Sequence, residues 1–198
     1  LNGKEIVLQS AIDAIEAGIS YVPEDRQIQG ALLPLGIREN ATLASLSDHV
    51  RGLFLKRPSE LDATRKLGTR LSVKAAHWEQ RLGELSGGNQ QKVVIAKWLM
   101  TKPGIILLND PTCGIDVGTK QEIYRLLREL ADEGAAILFY STDYDELIGS
   151  CDRVAILYDG RVVSELEGDR ITEKNIIAAS LNINASGHAA GQEKAHHG

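Results

Sequence analysis

An α/β fold, a parallel sheet with a small helical subdomain beside it, is predicted by three observations. Two short runs, Ile105 to Leu108 and Ala135 to Tyr140, are apolar without polar alternation, the pattern of strands covered on both faces as in a parallel sheet. Between them Ile123, Leu126, Leu127 and Leu130 fall at i, i+3, i+4 and i+7, one face of an amphipathic helix. From about Gly30 to Gly83 the pattern is mainly helical but patchy, with Leu61, Leu67 and Leu71 only loosely spaced, which marks that stretch as the subdomain.

The elements follow in order. Ser10 can cap a short helix reaching Ala17, and Gly18 suits the left-handed residue that ends it, ahead of a strand from Ile19 to Val22 that Pro23 stops. Ser59 is a candidate cap inside the patchy segment. After Gly88, Val94, Ile95, Trp98 and Leu99 share a helical face, and Lys102-Pro103 closes that element. Thr119 and Glu122 read as the capping box of the next helix, and Gly134 as its end. A short helix near Tyr144 to Ile148 follows the second apolar strand. Arg153 to Tyr158, Asp159-Gly160 and Arg161 to Leu166 then read as a β-hairpin with a two-residue turn. Strand, helix and strand in this order make right-handed parallel units, so chemistry belongs at the strand C-terminal ends, Asn109-Asp110 and Ser141-Thr142. Residues 1–184 are expected to form one domain with the helical insertion at about 30–83. Residues 185–198, rich in Gly, Ala, Ser and His, are expected to be a disordered tail in which His196 and His197 are solvated rather than metal-ligating.

Composition narrows the function classes. A chain of 198 residues, 43% hydrophobic, can bury one good-sized core. Its net charge of -5 argues against neutralising many phosphates along a nucleic acid. The two cysteines, Cys113 and Cys151, form no paired framework, which fits a reducing compartment. No apolar run approaches the roughly 18 residues of a spanning helix, so a membrane role would be peripheral.

Ser86-Gly87-Gly88 is a turn whose hydroxyl and bare amides would stand at a helix N-terminus, a receptor for an anion in form. By itself a Ser-Gly-Gly is as readily a plain capping turn. A phosphate loop of the G-x-x-x-x-G-K-[ST] kind is absent: the one Gly-Lys pair, Gly3-Lys4, has neither the upstream glycine nor a following Ser or Thr. With Met100 the only methionine, Leu1 is expected to be the first residue of a fragment.

Taken together, Leu85-Ser86-Gly87-Gly88-Asn89-Gln90-Gln91-Lys92, the apolar strand ending in acid, Pro111-Thr112, Gly114-Ile115-Asp116-Val117-Gly118 and Asp152-Arg153-Val154 resemble the ATP-binding-cassette transporter ATPases. The resemblance is to the second cassette of the tandem ATPases that energise bacterial monosaccharide importers of the ribose and galactoside type, and it runs from about Leu1 to Leu181. It implies a P-loop-NTPase-like cassette core with its N-terminal part missing, ATP and Mg²⁺ as ligands, and a place on the cytoplasmic face of the membrane. The implied partners are a first cassette, membrane permease subunits docking on the helical segment, and indirectly a periplasmic or extracellular sugar-binding protein. No nucleic acid is implied.

Site residues carry over one by one. Ser86, Gly87 and Gly88, with Gln90 in the same stretch, would meet the terminal phosphate of an ATP held mainly by the partner cassette. Asp116 matches the loop aspartate that communicates across that interface. Glu24, in Tyr21-Val22-Pro23-Glu24-Asp25-Arg26, stands where the family usually has a glutamine that senses metal, water and the membrane subunit. Four further positions depart from the pattern. Family strands usually end in Asp-Glu, whereas this chain has Asn109, a neutral oxygen for the metal shell, and Asp110, a base one methylene shorter. Thr142 aligns near the switch histidine and cannot carry its positive charge. Cys113 replaces a frequent arginine.

The resulting expectation is an asymmetric pair, in which this half completes the partner's site and turns over its own nucleotide slowly if at all. A non-hydrolytic binding or regulatory module is the alternative. A DNA- or ribosome-acting cassette protein is disfavoured, because neither long heptads nor a charged inter-cassette linker is present. Trp98 is expected in the core, Trp78 and His77 in the helical subdomain, His49 at the surface, and Arg51, Lys56 and Arg57 in solvent.

Overall fold

The computed structural model describes Leu1 and residues 3–181, so the expected tail and its histidines lie outside the described residues. The chain divides into two compact units after Tyr140.

In the first unit, Ser10 caps α1 (Ala11–Glu16): its hydroxyl accepts from the Asp13 N–H while the Asp13 carboxylate accepts from the backbone of Ser10. Gly18, at φ +74°, ends the helix and leads into β1 (Ile19–Val22). Asp25 caps a π-type turn, Arg26–Gly30. The patchy segment folds into α2 (Ile37–Thr42), a 3₁₀ stretch Leu43–His49, a small antiparallel pair β2 (Val50–Arg51) and β3 (Phe54–Leu55), and α3 (Arg57–Arg70). Ser59 is not a cap. Helix α3 starts two residues earlier with Pro58 in its first turn, and the Ser59 hydroxyl bonds His49 Nδ1 at 2.9 Å, which buries a histidine expected at the surface.

Helix α4 (Gly87–Leu99), β4 (Ile105–Asn109), α5 (Val117–Asp132) and β5 (Ala136–Tyr140) complete the unit. The three longer strands form a parallel sheet in the order β1-β4-β5, with Val22 beside Leu108 and Asn109 beside Tyr140. Val94 and Ile95 of α4 and Ile123, Leu126, Leu127 and Leu130 of α5 pack with Val22, Ile106 and Leu108 into the main core. Trp98 packs against this core, as its helical spacing predicts. One expectation fails. The sheet is not covered on both faces, since Leu138 is 68% and Tyr140 58% exposed on β5. An apolar run reports that a strand can be covered, not that the same chain supplies both covers.

A second cluster, Ile37, Ala41, Leu82, Leu85 and Val93, joins α2 to α4, with Trp78 packed against it. Its polar side is also buried. Arg38, 4% exposed in its side chain, pairs with Glu60 at 2.9 Å and with Glu79 at 2.7 Å. Asn40 exchanges hydrogen bonds with both the N–H and the carbonyl of Leu32.

The second unit begins at Ser141. It contains α6 (Tyr144–Ser150), the hairpin β6 (Arg153–Tyr158) and β7 (Arg161–Glu167), and α7 (Glu173–Ser180), around Val154, Ile156, Leu166, Ile171 and Ile176. The hairpin turn is Asp159-Gly160, both at positive φ, as the sequence predicts.

Candidate functional site

Ser86 occupies the N-cap of α4, so the amides of the first turn have no partners within the helix. Its hydroxyl caps none of them; it is exposed and instead accepts from Asn89 Nδ2 at 2.8 Å. A second bond anchors Asn89, whose amide oxygen accepts from the Lys74 N–H. Ser86 is thereby oriented by a residue three positions on, and it stands exposed at the positive end of a 13-residue helix, with Gly87 part-exposed and Gly88 buried behind it. Gln90 lies in the same stretch but is turned inward: it is buried, and its amide nitrogen donates to the Leu85 carbonyl at 3.0 Å.

The loop after β4 approaches this turn. Asp116 caps α5, accepting from the Thr119 N–H at 3.0 Å and from the Thr119 hydroxyl at 2.8 Å, and these bonds hold its carboxyl below the usual carboxylate range. The Thr119–Glu122 capping box is therefore not formed. The helix begins at Val117, and Glu122 pairs instead with the buried Lys92 of α4. Thr119 also abuts the turn, because a Cβ on Gly88 would lie 2.7 Å from its hydroxyl.

At the end of β4, Asn109 donates to the Tyr21 hydroxyl at 3.4 Å. Asp110 is buried and held at φ +42°, a left-handed conformation that costs a non-glycine residue roughly 1–3 kcal/mol and recurs at functional sites. Its N–H donates to the Tyr140 carbonyl at 2.8 Å, which fixes the strand end. Glu24 is exposed just beyond β1, the strand beside β4. Thr142 belongs to the second unit, exposed between buried Ser141 and the α6 cap Asp143; Ser141 donates to Glu146 at 2.7 Å. The structure thus gathers Ser86, Gly87, Gly88 and Asp116 through shared contacts, and sets Asn109 and Asp110 at the strand end.

Arg26 is the residue that sequence reasoning passed over. Its Nη1 donates to the Cys113 carbonyl at 3.1 Å, and a Cβ on Gly87 would lie 2.7 Å from its Nη2. The sole signal was its place in the Tyr21–Arg26 stretch.

As a Mg²⁺ site the donor set falls short. Asn109 brings a neutral oxygen and Asp110 one carboxylate, and no group of three or more His, Cys, Asp or Glu side chains gathers among the described residues.

Comparisons with known proteins bear on the family and the fold. Residues 1–113 match the family model described as ABC transporter. The chain is 55% identical over 192 residues to the ribose import ATP-binding protein RbsA 1 of Rhizobium johnstonii, covering 96% of itself and 37% of that protein. Against the protein of the same name from Rhizobium etli it is 56% identical, covering 92% and 36% respectively. It spans, then, little more than a third of the length of these relatives. Among solved structures it is similar to the ADP conformation of MJ1267, an ATP-binding cassette of an ABC transporter, with TM-score 0.74 and 20% identity over 92% of this chain and 74% of that one. A dimeric post-hydrolysis cassette, MJ0796 bound to ADP and Pi, gives TM-score 0.67 at 24% identity, covering 81% and 68%. By its matched sequence and its cassette fold, the chain belongs to the ABC transporter family.

Proposed function

We propose that the chain is the second-cassette part of the ATP-binding subunit of a monosaccharide importer, and that it supplies the signature turn to a nucleotide held mainly by a first cassette. The observation that carries this reading is the Ser86-Gly87-Gly88 turn at the start of α4, with Ser86 exposed, beside the Asp116 cap. The Ser86 hydroxyl and the free amides of that turn would receive the terminal phosphate, and the contact would draw the two cassettes together. Asp116, kept ionised by Thr119, would face the partner across the interface. The segment 30–83 would dock the permease subunits, with a sugar-binding protein engaged through them on the far side of the membrane. No helix among the described residues is long and apolar enough to cross a membrane, which fits attachment to the cytoplasmic face through those subunits.

ATP would also meet Asn109, Asp110 and Glu24 on this cassette's own side; Thr142, in the second unit, holds the position of the family's switch residue. The neutral Asn109 and the short, strained Asp110 favour slow turnover there, and they support a second reading: a non-hydrolytic nucleotide-binding module.

A chimera separates the two readings. In the full-length R. johnstonii relative, the stretch aligned to this chain is replaced by it, and ATP hydrolysis is measured with Ser86 intact and with Ser86→Arg. Turnover that Ser86→Arg abolishes supports the first reading. ATP binding with no turnover in either protein sinks it in favour of the second.

A further inference from the structure

We propose that Arg26 is a positioning residue that clasps three loops together: the Glu24 segment, the Ser86-Gly87-Gly88 turn and the loop leading to Asp116. The consequence for activity rests on the function proposed above; the clasp itself does not.

Arg26 leaves the π-type turn with its guanidinium directed at two segments far along the chain. Nη1 donates at 3.1 Å to the carbonyl of Cys113, 87 positions later, and lies 4.0 Å from where a Cβ on Gly114 would stand. Nη2, Cζ and Nε are the three atoms nearest to a Cβ placed on Gly87, at 2.7, 3.5 and 3.8 Å. A side chain on Gly87 would therefore push the tip of the guanidinium aside. The other side of the turn is held as well, because Gly88 abuts Thr119, whose hydroxyl donates to Asp116. The glycine pair is gripped between Arg26 and Thr119.

Two features argue for a role beyond stability. Nε of Arg26 is buried without a hydrogen-bond partner, a cost that a purely structural contact would avoid. Among the described residues no carboxylate pairs with the guanidinium, although it sits at the N-terminal end of α4, where the helix dipole disfavours a cation. A charge held there destabilises the empty protein. The repulsion is relieved when an anion enters the turn, so Arg26 couples nucleotide arrival to the positions of Glu24 and Asp116. A planar fork suits the task, because one nitrogen must bond a carbonyl while the other lies against a glycine.

The clasp is tested on the 198-residue chain by hydrogen exchange. Arg26→Met is expected to speed exchange in peptides covering 85–91 and 110–117, leave α2 unchanged, and keep or raise Tm. In the chimera the same variant is expected to raise KM for ATP about five-fold or more, the lower range of coupling factors, at a nearly unchanged kcat. Arg26→Lys restores part of that loss. Gly87→Ala, which displaces the guanidinium, reproduces the rise in KM, and the double variant is no worse than either single one. A lower Tm with KM unchanged overturns the proposal, as do effects of Arg26→Met and Gly87→Ala that multiply. Should the unmutated chimera fail to hydrolyse ATP, the proposed function falls, while hydrogen exchange still decides the clasp.

Discussion

Replacing Arg38 with methionine should be among the most damaging single changes in the helical segment, and its cost can be apportioned. Three carboxylates surround the guanidinium, but they differ in burial. Glu79 and Glu39 are 51% and 42% exposed, so each pair is worth about 0.2–1 kcal/mol after solvent screening. Glu60 is 2% exposed. Without Arg38 it keeps one bond, from the Thr42 hydroxyl, and its Oε2 already has no partner. Stranding a buried charge in this way costs about 3–5 kcal/mol, so Glu60 dominates the sum. With a slope of about 1–3 kcal/mol per molar urea, the unfolding midpoint should fall by roughly 1–5 M. The double variant Arg38→Met/Glu60→Leu removes the stranded charge and should recover at least half of the loss. Urea denaturation of the wild type and the three variants is the assay. A single-variant cost below about 1 kcal/mol, or a double variant no better than Arg38→Met, would refute the account, since either shows that Glu60 is not the source.

Three further predictions concern the site and the cores. In the chimera, combining Asn109→Asp, Asp110→Glu and Thr142→His should raise kcat about ten-fold or more, within the roughly 10²–10⁴ that general-base catalysis supplies; unchanged kcat in ATP-saturated assays would show that these positions do not limit turnover. Arg38 holds the Glu79 carboxyl below its ordinary value of 4.5, so the folded state binds its proton less tightly than the unfolded state. That contribution is fully present above about pH 4.5 and is lost as pH falls through the folded value; hence urea midpoints at pH 6 and pH 3.5 should differ less in Glu79→Gln than in wild type, by about 0.2–1 kcal/mol for this half-exposed group. Ile123→Ala, in the main core at 1% exposure, should cost about 2–5 kcal/mol in the same denaturation assay; a loss under about 1 kcal/mol would mean that α5 does not anchor the sheet as described.

How far the sequence was legible follows from what each signal measures. Apolar periodicity reports side chains that enter a hydrocarbon core, so β1, α4, β4, α5, β5 and the β6–β7 hairpin were all readable. In the segment 30–83 the pattern looked patchy because half of the interior is polar. Arg38, Asn40, Thr42 and Glu60 are buried there by pairing with one another or with backbone and His49 by its bond to Ser59, and a hydropathy pattern assigns every one of them to the surface. A partner's position is what makes burying a charge affordable, and that position is a tertiary fact.

The same reasoning separates the legible from the hidden parts of the site. Ser86-Gly87-Gly88 could be read locally, because a helix start and its free amides are adjacent in sequence. Asp116 could be located, but its cap was misread by one turn: Thr119 satisfies an Asp as readily as it starts a capping box, and only the helix start at Val117 decides. Arg26 could not be read, since its role lies in a carbonyl 87 positions away and in the absence of a side chain on Gly87. A glycine in a phosphate-receiving turn is usually explained by the ligand's approach. Here a side chain on Gly88 would meet Thr119 down to its Cβ, and one on Gly87 would displace the tip of Arg26, so both glycines also answer to contacts within the protein. The turn is therefore built from its two neighbouring loops, and a change in either Arg26 or Thr119 should reach the phosphate contact without touching it.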